Sequence, residues 1–235
     1  MRNVYKFGDI PVEIANRGQF FYDSCIDYMS DEKPLFSILA TDEDLAYEQE
    51  HSDDDVQFSK SYLEFIALYR IFCEKAVKYG VVLCHGSVIE VDGQAYLFTA
   101  PSGTGKSTHT RLWMEHFKDR AIMINDDKPL LRFEKDGVYA YGTPWDGKHH
   151  LSTNKKSKLK GICFLSQAKE NSIREATGEE KASHIMKQIY RPRDMEAMIS
   201  TMDYVDLLIK TVPMYVMGCN ISEEAAIMAY NKMSE

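Results

Sequence analysis

The stretch Ala100-Pro101-Ser102-Gly103-Thr104-Gly105-Lys106-Ser107-Thr108 constrains the fold more than any other part of the chain. Its glycines accept the positive backbone angles that turn successive N–H groups inward around an anion. Residues 94–99, Gln-Ala-Tyr-Leu-Phe-Thr, read as a strand entering it, and Ser107 to Phe117 as a helix leaving it, so a helix N-terminus faces the same anion. The run fits the phosphate-loop pattern, with Ala100 in place of the usual first Gly. Ser102, Gly103, Thr104, Gly105 and Thr108 are then the phosphate cradle, Lys106 reaches the β- and γ-phosphates, and the Ser107 hydroxyl ligates Mg²⁺. The expectation is an α/β fold that binds ATP with Mg²⁺.

Downstream, Ala121-Ile122-Met123-Ile124-Asn125-Asp126-Asp127 reads as a buried strand ending in two carboxylates. Ligands of nucleotide-binding sheets sit at the carboxyl ends of strands. One carboxylate there holds Mg²⁺ opposite the loop Ser, and a second accepts the proton of an attacking hydroxyl. Successive side chains of a strand point opposite ways, which assigns Asp127 mainly to the metal and Asp126 mainly to the base. Upstream, residues 81–91 and 94–99 read as a strand pair joined by an Asp92-Gly93 hairpin turn. His85 lies on the first strand, either packed in the core or, beside the loop, touching a phosphate or a metal.

The rest of the chain carries weaker signals. Residues 1 to about 50 alternate strand-like pieces, residues 9–14 and 35–39, with acidic turns, and Asp53-Asp54-Asp55 reads as a surface loop. Ser61-Tyr62-Leu63-Glu64 is a capping-box signature for a helix whose apolar residues Phe65, Leu68, Tyr69, Phe72, Cys73 and Ala76 keep helical spacing up to Gly80. Leu130 to Tyr141 reads as a hairpin around Asp136-Gly137. The loop Gly142-Thr143-Pro144-Trp145-Asp146-Gly147-Lys148-His149-His150 follows, in which Lys148 and His149 are anion contacts or ordinary surface charge. Residues 155–160 are rich in Lys and read as a solvated approach to a strand over 161–165. Thr177-Gly178-Glu179-Glu180 starts a helix that Tyr190-Arg191-Pro192-Arg193-Asp194 breaks. Arg191 and Arg193 are clamps on a transferred phosphoryl group or helix-end charges. A strand over 212–218 and a helix from Ser222 end the chain.

At 235 residues and 44% hydrophobic content the chain can bury a substantial core, and its net charge of −8 speaks against a general nucleic-acid binder. Cys25, Cys73, Cys84, Cys163 and Cys219 form no C-x-x-C pair, so the expectation is a reducing, cytoplasmic setting with neither zinc nor disulfides. No run has the length of a signal peptide core or a membrane span.

Together, His85, the loop Ser102-Gly103-Thr104-Gly105-Lys106-Ser107 and the pair Asp126-Asp127 resemble, in order and spacing, the catalytic domain of HPr kinase/phosphorylase. The loop is also similar to that of phosphoenolpyruvate carboxykinase. The resemblance covers about residues 80–220. It departs where the HPr enzyme carries Gly-Arg-Asn-Leu and this chain has Gly147-Lys148-His149-His150-Leu151, and it is nearer to the shorter HPr-kinase-related proteins. It implies a phosphoenolpyruvate carboxykinase-like P-loop fold: a mixed, twisted sheet with flanking helices, preceded by a small N-terminal α+β extension, mainly strands, over residues 1–58, with the catalytic domain over 59–235. It further implies a kinase in which Asp126 acts as base, His85 and Lys106 assist, the acceptor is a hydroxyl of a peptide or small molecule, and copies of the chain assemble. The alternative reading of the same motifs is a nucleotide-gated regulatory or chaperone-like module that transfers no phosphate.

Overall fold

A computed structural model describes residues 1–52, 56–101 and 103–235, so Asp53-Asp54-Asp55 and Ser102 lie outside the described residues. The chain opens with an antiparallel pair, β1 (Arg2–Phe7) and β2 (Ile10–Ala15), turned at Gly8-Asp9, where both residues take positive φ as a two-residue hairpin turn requires. After α1 (Gln19–Cys25), β3 (Phe36–Leu39) adds parallel to β2. The next helix, α2 (Asp42–Glu50), starts from a capping box in which Thr41 and Asp44 satisfy each other's backbone N–H. The alternating pieces expected at 9–14 and 35–39 are therefore strands; the two helices between and after them carry no motif.

The aromatic stripe expected from residue 65 onward is the buried face of α3 (Lys60–Ala76). Its cap differs from the expectation. Ser59, not Ser61, stands at the N-cap and accepts the Tyr62 N–H at 3.2 Å, while the buried Glu64 accepts the Arg17 N–H at 2.8 Å. The capping box is lost because the helix starts two residues earlier, which puts Ser61 inside it and Tyr62 at the third position. The strand expected over 81–91 also divides. Its halves are β4 (Val81–Leu83), paired with β8 (Leu130–Glu134), and β5 (Ser87–Val91), paired with β6 (Gln94–Thr99) and β7 (Ala121–Asn125). The chain crosses between partners at Cys84-His85-Gly86, so His85 lies in the crossing and not on a strand.

The larger sheet runs β4-β8-β9-β10-β6-β5-β7, with β9 at Gly137–Tyr141 and β10 at Lys156–Gln167. Parallel to β10 on its far half lies β12 (Met214–Cys219), which carries β11 (Ser172–Glu175) at its edge. Parallel and antiparallel pairs are mixed, and the sheet curls: Thr153 donates its backbone N–H to Ile124 O at 3.1 Å, tying the segment before β10 back to β7. Gly142 sits in that closure, where an added Cβ would lie 1.9 Å from Thr153 O and 2.6 Å from Ile124 O. The Lys-rich run is a correction: residues 156–160 form the first half of β10, with Ser157 and Leu159 buried and Lys156 and Lys158 paired outward to Asp9 and Asp136. Strand alternation was hidden by the charge of its outer face.

The flanking helices α4 (Lys106–Phe117) and α7 (Glu223–Ser234) pack together on one face of the sheet around Trp113. On the other face lie α5 (Gly178–Ile185), capped by Thr177 and Glu180, and α6 (Met195–Thr211), capped by Asp194. A third apolar cluster joins Tyr5, Phe7 and Phe21 of the N-terminal residues to α3 and to Trp145. None of the helices is long and apolar enough to cross a membrane among the described residues.

Candidate active site

The phosphate-loop stretch leaves β6 and enters α4 as expected, with Gly103 and Gly105 at φ of 76° and 113°, the left-handed region that only glycine enters freely. Lys106 starts the helix, and its Nζ donates to Ala100 O at 3.0 Å across the loop. Burial pulls the ammonium pKa below its ordinary value, against the opposing charges of Asp127 and Asp126. Those two acids follow β7. Because β6 and β7 both run antiparallel to β5, between them, the loop and the acids leave the same edge of the sheet.

Asn125, unremarked in the sequence, positions the acids. It is fully buried; its Nδ2 donates to Thr143 O and Oγ1, each at 3.0 Å, and its Oδ1 accepts the N–H groups of Asp127 at 2.9 Å and Lys128 at 2.7 Å. The two carboxylates face different partners. Asp126 is buried and accepts the Ser87 hydroxyl at 2.8 Å. Burial pushes its pKa up and the Asp127 charge adds to this, while Ser87, the Ser107 hydroxyl and the charge of His149 oppose it. Asp127 lies 3.4 Å from His85 Nε2. Burial works against its ionisation too, yet His85, Lys128 and Lys106 outweigh it and hold its pKa below the ordinary carboxylate value.

The loop after β9 closes over this edge. Trp145 stacks on Tyr69 with centroids 3.9 Å apart and donates Nε1 to Phe65 O at 3.0 Å, so it is anchored in the N-terminal core. Asp146 receives Ser152 Oγ at 2.8 Å and lies 3.2 Å from His150 Nδ1. Gly147 presses on Asp127, with its added Cβ 3.1 Å from Asp127 Cβ.

A cavity of 1220 Å³ joins these parts. Gly103, Gly105, Lys106, Ser107 and Thr108 line it together with His85, Asp126 and Asp127, and Lys148 and His149 line it from the closing loop. Thr104 is not among the lining residues, and its backbone O accepts Gln167 Nε2 at 3.2 Å. Arg191 and Arg193 do not line it; the Arg193 guanidinium lies over the Tyr47 ring at 3.4 Å. Phe20, Asp27, Tyr28, Tyr62 and Phe65 line the cavity as well; of these the sequence marked only Tyr62 and Phe65, as part of a helix start and its apolar face, and none as a site residue. Only the fold brings residues so distant in sequence to one cavity.

Among the described residues no group of three or more His, Cys, Asp or Glu side chains is gathered as a metal site. The donors that are present, the Ser107 hydroxyl and two carboxylates, are hard oxygens. They suit Mg²⁺, which takes one or two carboxylates from protein and completes its shell with phosphates and water.

The family model described as SynChlorMet cassette protein ScmC matches residues 49–224. The chain belongs to the ScmC family. Its match starts within α2 and takes in the loop, both acids and the closing segment, but leaves out β1 to β3. No curated protein sequence matches the chain. It is similar to the solved structure of the HPr(Ser) kinase/phosphatase from Coxiella burnetii at 12% identity, over 65% of this chain and 99% of that one, with a TM-score of 0.38.

Proposed function

We propose that the chain is an ATP- and Mg²⁺-dependent kinase that transfers the γ-phosphoryl group to a hydroxyl of a peptide or small molecule. The observation that carries this reading is a 1220 Å³ cavity lined together by Lys106, Ser107, Asp126, Asp127 and His85 and by residues from elsewhere in the chain, large enough for a second molecule. Residues 59–235 form the catalytic unit in this reading, and residues 1–58 an extension that contributes to that lining.

Lys106 and the loop amides hold the β- and γ-phosphates, and Ser107 and Asp127 hold Mg²⁺, which when bound neutralises charge developing on the phosphoryl oxygens. Asp127 suits that task because its neighbours keep it ionised. Asp126 suits proton acceptance because burial raises its proton affinity toward working pH. It takes the proton of the acceptor hydroxyl as that oxygen attacks phosphorus, and the bond to the leaving ADP oxygen breaks. His85, with Nε2 3.4 Å from it, fixes the Asp127 carboxylate. Alignment and charge compensation supply the rate, since phosphoryl transfer asks little covalent chemistry of a protein.

The contact of His85 Nε2 with Asp127 at 3.4 Å favours a second arrangement, in which Ser107 and Asp126 share the metal and the His85–Asp127 pair takes the proton. Titration of ATP with and without Mg²⁺ into the two variants separates them. Asp126→Asn is expected to keep Mg²⁺-dependent ATP binding and lose transfer, and Asp127→Asn to lose the Mg²⁺ dependence. The reverse pattern would establish the second arrangement, and full transfer by both variants would refute the kinase reading.

A further inference from the structure

Among the described residues, three Lys or Arg side chains line the cavity: Lys106, Lys148 and Lys128. Lys106 belongs to the phosphate loop, and Lys148 stands exposed on the single turn Gly147–His149 of the closing loop. Lys128 directly follows the acid pair, and the reaction proposed for the cavity leaves it without a task. Its backbone is firmly held. The N–H donates to Asn125 Oδ1 at 2.7 Å, and the carbonyl oxygen accepts the hydroxyls of Tyr69 at 2.7 Å and Thr143 at 2.9 Å. To either side, Asp127 O accepts the Gly86 N–H at 2.9 Å and Pro129 O accepts the Cys84 N–H at 3.2 Å. Tyr69 is itself buried in α3 and stacked on Trp145. The turn that carries Lys128 is thereby tied to α3, to the crossing at residues 84–86 and to the closing loop.

The side chain is held far less. Its one ion pair joins Nζ to Asp127 Oδ2 at 3.9 Å, the outer limit of such a contact, and 39% of the side chain is exposed. An ammonium carries three donors and a full charge on a flexible four-carbon stem. A fixed backbone with a loosely held cation lining a cavity can follow a charge that moves. Lys106 is not free in that way: it is buried in the loop, with Nζ bound to Ala100 O at 3.0 Å. The acids do not keep Lys128 either. With Mg²⁺ engaged by Asp127, the ammonium meets a like charge where the carboxylate now attracts it. Asp126 is buried and accepts the Ser87 hydroxyl at 2.8 Å. The anion left for Lys128 is the bound phosphate chain.

Resting on the kinase reading, we infer that Lys128 is a further catalytic residue, whose ammonium binds the γ-phosphoryl oxygens and moves with them from ADP to the acceptor. The oxygen of the acceptor hydroxyl bonds to phosphorus, the bond from phosphorus to the ADP oxygen breaks, and the hydroxyl proton passes to Asp126. Lys128 stays protonated throughout and supplies charge alone. Its contribution is therefore to the transition state and not to the binding of ATP.

The test compares the parent chain with Lys128→Met, which keeps the length and removes the charge, and Lys128→Arg, which keeps the charge. Calorimetric titration with ADP and Mg²⁺, with and without aluminium fluoride as a mimic of the phosphoryl group in transfer, reads the inference without any acceptor. Turnover is read as ADP formed from ATP in the presence of N-acetylserine amide, which counts transfer to that hydroxyl and to water alike. Lys128→Met is expected to bind ADP and Mg²⁺ like the parent, to lose about 100-fold of the affinity that aluminium fluoride adds, and to lower kcat by about the same factor at unchanged KM for ATP. Lys128→Arg is expected to recover about tenfold or more of both losses. The thermal midpoint of Lys128→Met should move by no more than about 4 °C, since a long, partly exposed ion pair contributes little. Four results would each overturn the inference: a kcat for Lys128→Met within about threefold of the parent, a loss of ADP affinity as large as the loss with aluminium fluoride, a weakened Mg²⁺ dependence of ADP binding, which would mean that Lys128 acts through Asp127, or no recovery in Lys128→Arg. A parent chain without Lys106-dependent nucleotide binding and turnover would instead overturn the kinase reading beneath it.

Discussion

Asn125→Ala tests how the acid pair is held in place. Asn125 makes four hydrogen bonds: two donated to Thr143, and two accepted from the backbone N–H groups of Asp127 and Lys128. At about 1 kcal/mol net for each bond, the four sum to about 4 kcal/mol. Thr143 Oγ1 keeps its bond to Lys128 O at 2.9 Å, which lowers the expected loss to about 3 kcal/mol. That is a large share of a total stability of about 5–15 kcal/mol. The loss is read from urea denaturation followed by tryptophan fluorescence, with an unchanged slope and a lower midpoint. Transfer activity should fall together with stability, because the same bonds orient Asp127. Asn125→Asp should fare no better, since it places a carboxylate 3.0 Å from the Thr143 carbonyl oxygen that now accepts from Nδ2. A loss below about 1 kcal/mol for Asn125→Ala would refute the reasoning, because it would mean that the turn holds itself.

Other perturbations address separate parts of the structure. Trp145→Ala is expected to cost about 4 kcal/mol, the range for large buried aromatics, whereas Trp145→Phe keeps the stacking on Tyr69 and loses chiefly the bond to Phe65 O, about 1 kcal/mol by the same denaturation assay. Gly142→Ala should yield no soluble folded protein, since its Cβ collides with two backbone oxygens, while Gly178→Ala, which meets nothing within 4 Å, should express normally and melt no lower. Asp9 is predicted to make the fold acid-sensitive. Burial raises its pKa, but the Tyr141 hydroxyl and the Lys156 ammonium more than offset this and hold it below the ordinary value of about 3.9. Its contribution is therefore present above that value and lost as pH falls through the lower folded value. Asp9→Asn should melt lower than the parent at pH 7, with the difference closing in acid.

Much of this architecture is legible in the sequence, and the illegible parts share a physical cause. Residues 94–117 read correctly as strand, loop and helix because one short segment contains the whole device. The hairpin over 130–141, the aromatic face of α3 and the break before Asp194 were equally local. What escaped depends on distant partners. The run from 81 to 91 is apolar at both ends, and nothing in it announces that Val82 faces Leu131 while Val88 faces Leu97. Glu64 takes the Arg17 N–H as its partner, far away in the chain, and Asn125 acquired its role only when Thr143 came alongside. The first 50 residues carry no chemical motif, so the part of the cavity lining that α1 and the following turn supply was invisible before folding. The pairing of the acids, Asp126 with Ser87 and Asp127 with His85, likewise belongs to the turn geometry and not to the Asp-Asp spacing.

The central claim is that the cavity transfers phosphate, and label transfer tests it most directly. The purified chain is incubated with γ-labelled ATP, Mg²⁺ and fractionated cytosol, alongside Lys106→Ala and Asp126→Asn. A labelled phosphoester formed by the parent chain is predicted, lost in Lys106→Ala together with ATP binding and lost in Asp126→Asn with ATP binding retained. Tight, Lys106-dependent ATP binding with label found only in ATP or free phosphate across every fraction would contradict it.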